Sequence, residues 1–175
     1  MLRLAVGLAA FLLVTASPAS AQSVRLAAGA SVPMGGKLGP TWDRQPGASG
    51  LILIPMYGGE TRLALDLAQH SASPDSLPDF LAVTATLGWG PVVPVGPVRL
   101  APGAEIGAGR FVFDDDGRFG DNVSSESEVV AGAYLRASVP IAGRLEVWAE
   151  GGVRRTFFST PATTGAATAG LAVRL

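Results

Sequence analysis

The chain has no cysteine, and lysine and histidine occur once each, as Lys37 and His70. Without cysteine there can be no disulfide, thiol chemistry or thiolate metal site, so stability must come from hydrogen-bonded closure and packing. Charged residues make up only 15% of the chain and aromatic residues 7%. No basic run exists to hold a nucleic-acid backbone, which excludes nucleic acid as a partner. Long apolar runs are also missing. Beyond residue 21 no stretch reaches the roughly 20 apolar residues of a spanning helix, although mean hydropathy is positive at +0.37.

What is present begins with an export pattern. Arg3 supplies a positive start, Leu4 to Val14 an apolar run, and Ala19-Ser20-Ala21 a small-residue cleavage site. Residues 1–21 are therefore expected to be a secretory signal and residues 22–175 a single domain. Cleavage before Gln22 removes Arg3 and no acid, leaving 14 acids against 12 bases.

Beyond the signal, the apolar residues alternate with small or charged ones, the period of a strand with two unlike faces. Val24, Leu26, Ala28, Ala30, Val32 and Met34 oppose Arg25, Ala27, Gly29 and Ser31. A loop is expected from Gly35 to Pro46. Leu51 to Met56 is apolar on both faces and contains Pro55, so its register stays open. After the tight turn Tyr57-Gly58-Gly59-Glu60, Leu63, Leu65 and Leu67 oppose Arg62, Asp66 and His70. Leu81 to Trp89 alternates cleanly. In the segment from Val98 to Gly109, Pro102 and Gly109 signal a bulge that would shift parity. Val129 to Val139 and Leu145 to Arg154 follow, and Thr168 to Leu175 ends the chain on Leu171, Val173 and Leu175 facing one way.

Eight strands result, joined alternately by long polar connections and short Gly/Pro turns. The expected fold is all-β, an eight-stranded antiparallel up-and-down transmembrane β-barrel. A soluble barrel or sandwich would turn the apolar faces inward and carry a charge-rich exterior. The charge-free apolar faces, and opposite faces rich in Gly, Ala, Ser and Thr rather than Lys, favour the membrane form. A lipocalin-like soluble binder with an apolar lumen remains as an alternative.

With these residues in view, the chain resembles the small outer-membrane barrels of Gram-negative bacteria, the class of the outer-membrane protein A transmembrane domain and the opacity-type adhesins. The terminal octet is similar to their insertion signal, with Thr168, Gly170, Val173 and Leu175 in its fixed places and a leucine where an aromatic residue usually stands. The resemblance implies a bacterial outer-membrane location, contact with outer-membrane lipid and lipopolysaccharide, and recognition by the barrel-assembly machinery during insertion. It also implies a structural or surface-interaction role, carried by extracellular loops.

Several residues are candidates for chemistry. Arg25, Arg62, Asp66, Glu105, Arg136, Glu146, Glu150, Arg154 and Arg174 lie opposite the apolar face and are expected to pair inside the barrel, since unpaired buried ions are too costly to keep. Numerous Gly and Ala on that face would leave room for water, which keeps a narrow pore open as an alternative. His70 with Ser71 and Ser73 loosely resembles the histidine and serine of outer-membrane lipid A deacylases; a polar strand end explains them more simply, and no catalytic residue is expected. Asp114-Asp115-Asp116-Gly117 with Asp121-Asn122 reads as a solvated acidic loop rather than a Ca²⁺ site, its spacing being wrong for an EF-hand. Neither a metal nor a cofactor is expected. Tyr57 and Trp89 at the turn side, with Phe80, Phe111, Phe157 and Phe158 at the loop side, are placed as interfacial girdles.

Overall fold

The computed structural model describes residues 24–35, 42–72, 77–114, 125–157 and 161–175, all strand, turn or short connection. Residues 1–21, expected to be a secretory signal, together with Lys37, Ser73, Phe158 and the acidic run beyond Asp114, lie outside the described residues.

The strands are β1 (Arg25–Gly35), β2 (Trp42–Met56), β3 (Gly59–Ala72), β4 (Phe80–Pro91), β5 (Val93–Val95), β6 (Val98–Phe113), β7 (Glu126–Ala142), β8 (Leu145–Thr156) and β9 (Ala162–Arg174). All pair antiparallel with their neighbours, in the order β4-β3-β2-β1-β9-β8-β7-β6-β5, and β4 also pairs with β6. That last pairing closes the sheet into a barrel without free edges, which leaves no unpaired row of backbone groups.

The walls number eight because β5 continues β4. Trp89 faces Ala104 and Val93 faces Leu100, so the register is unchanged across the gap and sets Pro91 opposite Pro102. Neither proline has an N–H to donate, and the ladder is interrupted at that point rather than redirected.

The parity of β6 holds throughout. Its pairings with β4 and β7 run without a register shift, so no bulge forms at Pro102 or Gly109. Barrel closure fixes both neighbours of this strand and overrides the local signal. In β2 the facing is settled as well: Leu51 and Leu53 are buried inside, while Ile52 and Ile54 alternate with them. The strand also begins earlier than expected. Trp42 to Arg44 pair with β3 where the composition points to a loop, and the irregularity falls between Arg44 and Gly47, at Gln45-Pro46.

Three tight turns lie at one end of the barrel. Tyr57 and Gly58 both take positive φ, 53° and 72°, between paired Met56 and Gly59. This is the double left-handed geometry that matches strand twist in a two-residue hairpin. Gly96 and Gly143 take φ of 60° and 50° in the other two. The longer connections lie at the opposite, loop end. Eight walls return the start of β1 and the end of β9 to the turn end, where the Leu175 N–H donates to the Val24 carbonyl at 2.9 Å.

The apolar faces point outward. Leu26, Leu65, Leu87, Ile106, Val129, Leu135, Val147 and Leu171 are all exposed on the outer wall. Arg25, Arg62, Asp66, Glu105, Arg136, Glu146 and Glu150 are buried within. This is the inverse of a soluble barrel with an apolar lumen, and it removes the lipocalin-like reading.

Candidate functional site

Alternation along each strand delivers the charged side chains to the lumen at staggered heights, and the pairing register decides which of them meet. At the turn end Glu146 is the hub. It accepts from Arg25 at 3.0 Å, Arg99 at 3.1 Å and Arg174 at 2.5 Å. Glu60 sits between Arg25 and Arg136 and pairs with both.

Mid-barrel, Arg62 reaches Glu150 at 2.7 Å and pairs with Glu105, while its guanidinium lies 4.9 Å from the centre of the Tyr134 ring. The Thr86 hydroxyl donates to Glu105 at 2.7 Å. Toward the loop end Arg154 bridges Glu105 and Asp66, at 2.6 Å to each, and the Ser49 hydroxyl donates to the other Asp66 oxygen. All nine lumen residues singled out in the sequence therefore point inward, and each has an ion-pair partner there.

Two network members, Glu60 and Arg99, and a third inward arginine, Arg44, are not evident from the sequence. Glu60 reads as part of the turn, although the ladder already holds it opposite Gly90 and Pro55. Arg44 falls in the segment whose composition reads as loop. Arg99 shares its parity with Glu105, and that parity is the signal that could have found it.

The glycines of the inner face do not leave a channel. A Cβ at Gly103 would meet the Tyr134 ring at 2.3 Å, and one at Gly29 would meet the Trp148 ring at 2.9 Å. These glycines make room for the two large side chains lying across the lumen, and Trp148 is only 1% exposed. Two inner spaces toward the loop end, about 40 and 20 Å³, have room for no more than a few water molecules. Tyr134 and Trp148 thus obstruct the lumen where they cross it.

At the loop end an aromatic cluster covers the charges. Phe80 contacts Trp42, Phe111 and Phe113 at ring separations of 5.9, 5.7 and 5.3 Å, and His70 stacks on it at 4.5 Å with the rings 10° from parallel. Trp42 donates from Nε1 to the Pro78 carbonyl at 3.0 Å. Phe80 and Phe111 are thus buried inside the mouth rather than set in an outer girdle, because both fall on inward parity. Trp89 is outward and half-exposed, donating to the Met56 carbonyl at 3.3 Å, and Tyr57 is exposed in its turn. Phe157 is on the outer side with Arg155 at 5.8 Å from its ring.

The hydrolase arrangement fails on geometry. His70 and Ser71 are successive residues of β3, so their side chains leave opposite sides of the wall. His70 is buried against Phe80. A general base must lie within about 3.2 Å of its nucleophile, directly or through one water, and this pair cannot.

The terminal octet occupies the end of β9. Thr168 and Gly170 face inward, paired with Glu150 and Trp148, while Val173 and Leu175 are exposed. A Cβ at Gly170 would fall 1.9 Å from the Ala28 carbonyl oxygen, so close packing against β1 already requires glycine there.

No protein-family model matches the chain, and no curated protein matches it. Solved structures do. Neisserial surface protein A aligns with a TM-score of 0.61 at 16% identity, over 87% of this chain and 97% of that one. The attachment invasion locus protein Ail of Yersinia pestis aligns at 0.56 and 11%, over 89% and 100%. A major outer membrane protein of Thermus thermophilus aligns at 0.58 and 15%, over 87% and 99%. The chain has the fold of the small eight-stranded outer-membrane barrels.

Proposed function

We propose that this protein is a non-enzymatic outer-membrane barrel whose working surface is its loop end. The observation that carries this is the division of the molecule. The outer wall is apolar, the lumen is filled by ion pairs and capped by aromatic rings, and the loop end alone presents long polar connections to a partner. An apolar outer wall belongs against lipid, and export with removal of residues 1–21 would bring the chain there. The octet ending at Leu175 would serve the assembly machinery during insertion.

The loop end is acidic. Its strand ends and connections carry Asp43, Asp75, Asp79, Asp114, Asp115, Asp116, Asp121, Glu126 and Glu128, against Lys37, Arg110, Arg118 and Arg155. Ail has been crystallised with sucrose octasulfate, a heparin analogue. A polysulfated glycan would be repelled by the present loops, so the matching partner is a basic protein surface.

Surface display tests this reading. Cells displaying the barrel should bind immobilised basic proteins and not heparin. Shortening the 114–125 connection to a tight turn should abolish binding while the barrel still folds. Retention of binding after that change, or selective binding to heparin, would contradict the proposal.

A further inference from the structure

The outer wall is not evenly covered. On β3, β4 and β6 it presents bulky side chains such as Leu65, Leu67, Leu87 and Ile106, but on β7, β8 and β9 the outward positions Ala133, Gly151 and Gly165 are small. There the wall sinks into an open groove of about 580 Å³, bounded by the exposed side chains of Met34, Leu135 and Val153. A Cβ added at Gly151 would meet nothing within 4 Å, so the floor of the groove is open space. On a wall that faces lipid such a hollow is filled, because its lining otherwise forfeits dispersion contacts.

The groove is polar at one end only. Thr163 lines it toward the loop end, and Arg155 stands across the ladder from Thr163 on the same outer face. Among the described residues Arg155 has no ion-pair partner, and its guanidinium lies 5.8 Å from the centre of the Phe157 ring. From Leu145 to Arg155 the strand climbs about 25 Å along the barrel axis, at about 3.3 Å per residue and a tilt of about 40°. That is the height of the apolar band of such a barrel, so Arg155 stands at the level of the lipid headgroups. Among the described residues no Asp or Glu has outward parity on β6, β7, β8 or β9. A second copy inserted in the same sense would therefore bring Arg155 to Arg155 at one height, with no carboxylate to pair with either. An apolar trough with a hydroxyl and a guanidinium at its headgroup end instead complements an anionic amphiphile.

We infer that this groove binds a phosphorylated lipid of the leaflet at the loop end, with one acyl chain over Gly151 and Gly165 and the phosphate on Arg155. The inference rests on the reading that the outer wall meets lipid. Phosphatidylglycerol serves as the probe. The barrel is reconstituted in nanodiscs of equimolar phosphatidylglycerol and phosphatidylcholine, and the lipid that stays on it is identified by native mass spectrometry. The retained lipid should be enriched about fivefold in phosphatidylglycerol, the factor for one cation at an anionic lipid surface. Arg155→Gln should remove the enrichment. Gly151→Leu should remove it too, by filling the trough with no change of charge, and the open space there accommodates the side chain. Arg110→Gln deletes the other outward arginine of these four strands, away from the groove, and should leave the enrichment in place. Equal retention of the two lipids by the unaltered barrel, enrichment that survives Arg155→Gln or Gly151→Leu, or its loss in Arg110→Gln would overturn the inference while the lipid-facing wall stands. Failure of the folded barrel to enter the bilayer at all would overturn both.

Discussion

Glu60 shows how much a single inward residue carries. Its carboxylate is 1% exposed and lies between Arg25 and Arg136, so neutralising it leaves Arg25 with Glu146 alone and Arg136 with only Glu150, at 3.8 Å. Glu60→Gln should destabilise the folded barrel by about 3–5 kcal/mol, the range for breaking one side of a buried ion pair. Glu126→Gln, exposed at the start of β7, should change nothing measurable; denaturant titration in detergent micelles compares the two. Glycines divide in the same way. Gly170→Ala drives a methyl group into the Ala28 carbonyl and should lose about 1–3 kcal/mol, whereas Gly151→Ala meets open space and should stay within about 0.5 kcal/mol. The sequence shows both as glycine on a strand. Only the close approach of β9 to β1 separates them.

At the scale of elements, the strand pattern was readable because one face of each strand is apolar and the other is not, and a slip by one residue would exchange them. Leu63, Leu65 and Leu67 against Arg62 and Asp66 is the plainest instance. Reading failed where closure supplies information the local residues lack. Pro102 carries a bulge signal, but the intact ladders on both sides of β6 suppress it. Trp42 to Arg44 look like loop until β3 is there to pair with them. The candidate site shares this limit: parity placed the nine charged residues inside, while the Tyr134 and Trp148 rings that fill the space beside the glycines depend on which strands become neighbours. The turn at Tyr57 offers a test at this scale. Tyrosine at φ of 53° carries a steric cost that asparagine largely avoids, so Tyr57→Asn should stabilise the barrel by about 1 kcal/mol in the same titration.

At the scale of the whole molecule, the central claim is that the apolar outer wall meets lipid and the charged face fills the lumen. The absence of native cysteine makes a direct measurement clean, because each introduced thiol is the only one in the chain. Single cysteines placed in turn from Leu63 to Gln69 on β3, in outer membranes of cells expressing the protein, can carry a spin label whose collisions with oxygen and with a water-soluble nickel complex are compared. Positions 63, 65, 67 and 69 should favour oxygen, and 64, 66 and 68 should give immobilised labels with little access to either reagent. Nickel accessibility at 63, 65 and 67, with oxygen-rich readings at 64, 66 and 68, would contradict the account.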